Sequence, residues 1–248
     1  MSTTTPALRI FASLSYVLLL LSSLWFVAFL ADLGPVKTIN RGEGLAGWAN
    51  PFLVLAFCLH HSLFARRWVK DSLSKWVAPG GERSLYVAIA SLLQMALMLG
   101  WQPMPQTIWA TEHDTARMLI WSVHAMGWLI VLEATFQIDH LGLFGLRQAF
   151  CPRTPQDSGF QTPWMYRWVR HPMMFGFLVV LWVTPSLSLG QLMLASLLTV
   201  YIVWGTSLEE SDLRQTLGSA YQRYQQEVPW LLPKPGSRPR AARPVARR

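Results

Sequence analysis

Seven side chains able to move protons or hold ions interrupt or border long apolar runs: His60 and His61, Glu133, Arg170 and His171, and Glu209 and Glu210. Histidine changes protonation nearest neutral pH, whereas Arg and Glu are fixed charges that bind groups of opposite sign. Each has an ordinary structural reading. Arg167 and Arg170 can be interface anchors beside Trp164, Tyr166 and Trp168, Pro172 can be a first helical residue, and Glu209-Glu210 can be a solvated helix end. Taken jointly they point to a site, because ionisable groups within an apolar segment need partners.

The elements that carry them are set by composition. The chain has 52% apolar and 14% charged residues, with the charges gathered into short stretches. That segregation is what a bilayer demands of a sequence. Residues 10–30 carry no charge, enough to cross a core of roughly 30 Å at about 1.5 Å per residue. The run is too long for a secretory signal and no small-residue cleavage site follows it. Further spans are expected over 48–65, 84–101 and 118–138. The charge-free run 173–208 would measure about 54 Å as one helix, so Thr184-Pro185 is expected to break it into a helical hairpin. The expected fold is all-α: a polytopic membrane protein with about six crossings, four spans plus the C-terminal hairpin. One domain over 1–233 and a basic tail over 234–248 complete it.

Cations set the orientation. Arg66, Arg67, Lys70, Lys75 and Arg83 crowd one loop, Arg147, Arg153, Arg167 and Arg170 another, whereas 102–116 has none. Positive loops stay inside, so both termini are expected in the cytoplasm, at the inner membrane if the source is bacterial. The net charge of +8 then needs no nucleic acid, and the tail reads as a lipid-facing anchor. Cys58 and Cys151 offer neither a disulfide framework nor metal-ligand spacing, and no metal is expected. On this topology His60/His61, Glu133, His171 and the two glutamates converge at one cytoplasmic-side depth. Glu133, Gln137 and His140 share a face if their helix continues that far. His124 lies nearer the outside.

The residues Arg170-His171-Pro172-Met173-Met174-Phe175-Gly176, some thirty apolar residues, Leu208-Glu209-Glu210-Ser211-Asp212-Leu213, and then Tyr221, Tyr224 and Val228-Pro229 form a longer pattern. It resembles the C-terminal motif of the membrane methyltransferases that include isoprenylcysteine carboxyl methyltransferase and the phospholipid methyltransferases. Those relatives usually carry Tyr where this chain has Met174. Met174, with His60-His61-Ser62-Leu63-Phe64-Ala65-Arg66, Glu82-Arg83-Ser84-Leu85-Tyr86 and Ile138-Asp139-His140-Leu141-Gly142-Leu143-Phe144-Gly145-Leu146-Arg147-Gln148, is similar to the methanethiol S-methyltransferase branch. There the first motif usually begins Gln-His-Ser, so His61 matches the family histidine and His60 replaces Gln.

The resemblance implies S-adenosylmethionine as cofactor, with Tyr166, Arg170, His171, Met174, Glu209, Glu210, Tyr221 and Tyr224 around it. Arg170 and His171 at a helix start suit its carboxylate, a glutamate suits its ammonium or ribose, and aromatic and Met groups suit a sulfonium. It also implies a small thiol acceptor, methylated as the thiolate. A neutral histidine can take its proton: His61 first, His140 second with Asp139 or Glu133 to orient it. His60, Glu133 and Arg147 are the expected substrate-side residues. A larger amphipathic acceptor, or a non-catalytic carrier using the same polar cluster, are the competing expectations.

Overall fold

The computed structural model describes residues 5–34, 37–42, 47–64, 69, 72, 77–151 and 162–234. Arg66, Arg67, Lys70, Lys75, Arg153 and the tail from 235 onward lie outside the described residues. The chain is mostly helical and divides into two compact units. The first comprises Met1–Ala110, Leu141–Thr154 and Ser186–Leu197; the second comprises Thr111–His140, Pro155–Pro185 and Leu198–Arg248.

In the first unit, α1 (Pro6–Leu30) starts at a threonine cap: Thr5 accepts from the Leu8 N–H at 3.3 Å and Pro6 supplies a preset φ. Helix α2 is Asn50–Leu63 and α3 is Glu82–Gly100. Asn50 ties the start of α2 to the chain leaving α3, donating to the Gln102 carbonyl and accepting from the Gln102 N–H, both at 2.8 Å. Trp101 is fully buried edge-on to Phe29 and donates its indole N–H to the Ile39 carbonyl at 3.1 Å. Two short helices follow, α5 (His140–Leu143), whose first residue belongs to the second unit, and α6 (Leu146–Phe150). Leu8 and Ala12 of α1 pack on Ala149 of α6.

Gly145, at φ +90°, makes the turn between α5 and α6. A Cβ there would sit 2.8 Å from the Ser84 backbone nitrogen, so only glycine brings this turn against the start of α3. A short antiparallel pair, β1 (Thr107–Ala110) with β2 (Ser186–Ser188), completes the unit and was not anticipated from the sequence.

The second unit is built on α4 (Asp114–Ile138) and α7 (Pro172–Trp182). Their backbones meet at two glycines: a Cβ on Gly176 would lie 2.8 Å from the Gly127 carbonyl oxygen. Small residues at a crossing give close van der Waals contact, which drives helix association where lipid removes the hydrophobic difference.

The expected break in 173–208 is present. Helix α7 stops at Trp182, before Thr184-Pro185, since the residue ahead of a proline is pushed from helical to extended backbone. The chain then pairs as β2 and re-enters α8 (Leu189–Leu217), whose first nine residues belong to the first unit. Ser188 and Gln191 start α8 reciprocally: the Ser188 N–H donates to the Gln191 side chain at 2.8 Å and the Gln191 N–H to the Ser188 hydroxyl at 3.1 Å. Gly218 at φ +56° turns the chain into α9 (Ser219–Glu227), where Tyr221, Tyr224 and Val228 pack with Leu213 and Leu217.

Four helices, α1, α3, α4 and α8, are long and apolar enough to cross a membrane; α2 and α7 are shorter apolar helices. The span expected over 48–65 thus contains only a 14-residue helix.

Candidate functional site

In the second unit, the start of α7 and the polar end of α8 are joined through one carboxylate. Arg170 donates to both oxygens of Glu210, Nε to Oε1 at 2.7 Å and Nη2 to Oε2 at 3.0 Å. His171 meets Oε1 at 2.9 Å through Nε2, which must carry the proton because an ionised carboxylate only accepts. The Tyr221 hydroxyl donates to the same oxygen at 3.0 Å, and the Gln225 side-chain amide donates to Oε2. Arg170 Nη1 reaches the carbonyls of Gln225 at 3.0 Å and Val228 at 2.5 Å. Its side chain is 10% exposed and that of Glu210 is 7%.

Arg170 and Glu210, both expected around the cofactor, are engaged with protein groups in this structure. Both spend their hydrogen-bonding capacity on each other and on α9, holding a paired charge where desolvation would otherwise be costly. Arg170 N–H and His171 N–H also bond the carbonyls of Pro229 and Trp230, at 2.9 and 3.3 Å. Glu209 is the open one: its side chain is 57% exposed, with an oxygen 3.7 Å from His171 Nδ1. Tyr224 donates to the Tyr166 carbonyl at 2.6 Å. Burial raises the Tyr166 phenol pKa, and the charge of Glu209 raises it further. Burial likewise raises those of Tyr221 and Tyr224, which stay neutral donors.

Beside this cradle lies an apolar groove of about 310 Å³ lined by Ile130, Trp164, Met165, Trp168, Phe175 and Pro172, among others. Its 3-10 turn, Trp164–Arg167, is pinned by Gln137, whose side-chain carbonyl accepts from the Met165 N–H at 2.9 Å. Gln137 in turn donates to Glu133 at 3.2 Å, and Glu133 is exposed. Met174 is half-buried on α7.

The conditional face Glu133–Gln137–His140 does not form. Helix α4 ends at Ile138, Asp139 leaves the helical backbone, and His140 folds back to meet Thr135 Oγ1 at 2.7 Å and stack on Phe136 at 4.2 Å. Burial lowers the His140 pKa, and the adjacent Asp139 charge opposes this. His124 is structural: Nδ1 donates to the Val183 carbonyl at 2.9 Å and Nε2 accepts from Trp128 at 3.2 Å.

The first unit holds the other histidines. The Tyr86 hydroxyl lies 2.9 Å from His61 Nδ1 and 3.1 Å from its Nε2, and Phe57 stacks on the ring at 5.7 Å. Arg83 stands over the Tyr86 ring at 5.1 Å and donates to the Leu143 carbonyl at 2.6 Å. His60 is 8% exposed, and neither ring nitrogen has a hydrogen-bond partner among the described residues. Leaving such groups unsatisfied costs about 1–3 kcal/mol each. Arg147 is exposed on α6.

Sequence reasoning assigned no role to Gln225, Tyr86, Arg83 or Gln137. Gln225 follows Tyr221 by four residues, so helical spacing alone places the two on one face of α9. Nothing local in the sequence pairs Tyr86 with His61.

No protein-family model matches the chain, and no solved structure matches it significantly. Curated relatives do. A Pseudomonas protein named methanethiol S-methyltransferase is 40% identical over 226 residues, covering 88% of this chain and 87% of its own length. One of the same name from Mycobacterium tuberculosis is 36% identical over 233 residues, covering 91% and 96%. Nurim from Bos taurus is 31% identical over 173 residues, 65% of this chain. Similarity at this level over nine-tenths of both chains, spanning the His60-His61 helix and the Arg170–Glu210 cradle alike, makes this integral membrane protein a member of the methanethiol S-methyltransferase family.

Proposed function

We propose that the chain is an S-adenosylmethionine-dependent S-methyltransferase that converts a small thiol, methanethiol, to dimethyl sulfide. The observation that carries this reading is similarity over 88–91% of the chain to proteins named for that activity. The second unit supports a sulfonium donor by the chemistry of its side chains. Glu209 offers an exposed carboxylate for an ammonium or ribose hydroxyls, and His171 Nδ1 stands beside it. Trp164, Met165, Trp168 and Phe175 offer the soft, aromatic contacts that suit a sulfonium or a flat base. The cofactor supplies an activated methyl group. Arg170, Glu210, Tyr221 and Gln225 hold the base of α7 against α8 and α9, which keeps Glu209 and His171 in register.

The acceptor reacts as thiolate, and at neutral pH a simple thiol is only a few per cent ionised. A neutral imidazole can take the thiol proton, and His61 first and His140 second are the proposed bases. The six crossings of this reading count α2 and α7 with the four long apolar helices, and the cation bias of the loops supports cytoplasmic termini and a cytoplasmic site entrance.

Incubating the purified protein with methanethiol and methyl-labelled cofactor is expected to yield labelled dimethyl sulfide in the headspace. Labelling of a phospholipid or prenylated cysteine with no headspace product would transfer the reading to a larger acceptor. The apolar groove is the observation that favours this second reading, because it is open and wider than methanethiol requires.

A further inference from the structure

We propose that Glu133 and Gln137 are positioning residues for the methyl donor: together they hold the Trp164–Arg167 turn that walls the apolar groove of the second unit. The inference deepens the reading above, that this unit binds S-adenosylmethionine, and rests on it. The turn carries Trp164 and Met165 into the groove lining, with Trp168 one residue beyond. Some of its hydrogen bonds are local: the Trp168 and Val169 N–H groups donate to the Met165 carbonyl at 3.0 and 3.2 Å, and Arg167 Nε to the Thr162 carbonyl at 3.3 Å. Two longer-range bonds fix the turn in place. Tyr224 of α9 donates to the Tyr166 carbonyl at 2.6 Å, and Gln137 of α4 accepts from the Met165 N–H at 2.9 Å. A short 3-10 turn has poor internal hydrogen-bond geometry, so these tethers decide where its side chains stand. Ile130, another lining residue, precedes Gln137 by seven positions and shares its face of α4. One helix face thus lines the groove and also sets the distance to the opposite wall.

The Gln137 amide has two orientations, and its neighbours select one. The Met165 N–H needs an acceptor, and a carboxylate oxygen of Glu133 needs a donor. The amide with its carbonyl toward Met165 and its NH2 toward Glu133, Nε2 to Oε1 at 3.2 Å, satisfies both. A flipped amide would set N–H against N–H and oxygen against oxygen. Glu133 therefore acts through Gln137, one helical turn away, on the backbone of the groove wall. This accounts for an acid that its apolar setting makes costly: Glu133 is the one acidic residue in 118–138, and it is exposed. An exposed carboxylate adds little to packing, so its effect is read in ligand binding rather than in stability. A sulfonium is held by an aromatic face only within about 6 Å of the ring centroid, so a turn free to swing loosens the donor.

The test measures S-adenosylmethionine affinity by calorimetry, and cofactor KM and kcat with methanethiol, in full-length wild type, Gln137→Leu, Glu133→Gln and the exchanged pair Glu133→Gln/Gln137→Glu. Gln137→Leu is expected to weaken cofactor binding about tenfold and to raise cofactor KM more than it lowers kcat. Glu133→Gln, which leaves the amide free to flip, should weaken binding about threefold with Tm unchanged. The exchanged pair restores the pattern, because the new amide donates and the new carboxylate accepts from the Met165 N–H. Its affinity should lie within about twofold of wild type. Unchanged affinity in Gln137→Leu would overturn the proposal. So would an exchanged pair that binds no better than Glu133→Gln, a comparison that holds even if Gln137→Leu does not fold. A purely structural role would lower Tm and kcat in step with affinity in all three variants, and that result also overturns it. Failure of the underlying reading is separable: wild type itself would then bind no S-adenosylmethionine, and the proposal would fall with it.

Discussion

Arg170 and Glu210, forty residues apart, form a bidentate ion pair with hydrogen bonds of 2.7 and 3.0 Å between two side chains that are each no more than 10% exposed. Breaking such a pair from one side strands a buried charge, at a cost of about 3–5 kcal/mol. Arg170→Ala is expected to lose stability on that scale, read as detergent-phase thermal unfolding. Arg170→Lys should recover only part of the loss, because an ammonium cannot reproduce the planar fork. A loss below about 1 kcal/mol for Arg170→Ala would show that the pair does not hold α7 to α8.

Glu209 and Glu210 are adjacent yet sit in opposite environments, 57% and 7% exposed. Glu209→Gln is expected to change stability by less than about 0.5 kcal/mol, as for other exposed positions, while weakening cofactor binding. Glu210→Gln should do the reverse in rank, with stability falling first. Calorimetric titration of both variants with S-adenosylmethionine checks this. Unchanged affinity in Glu209→Gln removes that carboxylate from the cofactor site.

The Tyr221 phenol has its pKa raised by burial first, and then by the Glu210 charge and hydrogen bond. Folding therefore favours its protonated form. That contribution is whole below the unfolded value of about 10 and declines as pH rises toward the folded one. Tyr221→Phe should flatten part of the alkaline fall in Tm between about pH 9.5 and 11.5. Superimposable alkaline limbs for the two proteins would show that Tyr221 does not report on the cradle.

Gly176→Ala places a methyl 2.8 Å from the Gly127 carbonyl oxygen, where backbone rather than a flexible side chain must move. A destabilisation of about 1–3 kcal/mol is expected from such overpacking. Gly205→Ala, in open space on α8, is the control and should be neutral or slightly stabilising. Equal Tm values for the two variants would mean that α4 and α7 tolerate a wider spacing.

Much of the architecture was legible without coordinates because lipid and proline act locally. A charge-free run of about twenty residues reads as a candidate span, and Thr184-Pro185 disfavours a continuous helix, largely independent of what surrounds them. The break at Val183–Ser188 stands where it was expected for that reason. The β1–β2 pair was not legible, since Ile108 and Trp109 alternate too briefly to distinguish a strand from a loop.

The polar residues that cluster at the start of α7 and the end of α8 were likewise readable, but how they pair was not. Arg170, His171, Glu209, Glu210, Tyr221 and Tyr224 announce themselves as polar groups beside apolar helices. Their sequence spacing cannot say that Glu210 is saturated by Arg170, His171, Tyr221 and Gln225 while Glu209 stays exposed. That follows from helical rotation: adjacent residues on α8 point about 100° apart, so one meets α9 and the other solvent. The same rotation separates His60 from His61, and only the approach of Tyr86 from another helix decides which imidazole is occupied. The sequence by itself determined the membrane class, the helix break and the list of chemically competent residues, because these depend on local composition. Tertiary structure alone decided which of those residues are spent on one another and which remain open, because hydrogen-bond capacity is used up by partners far along the chain.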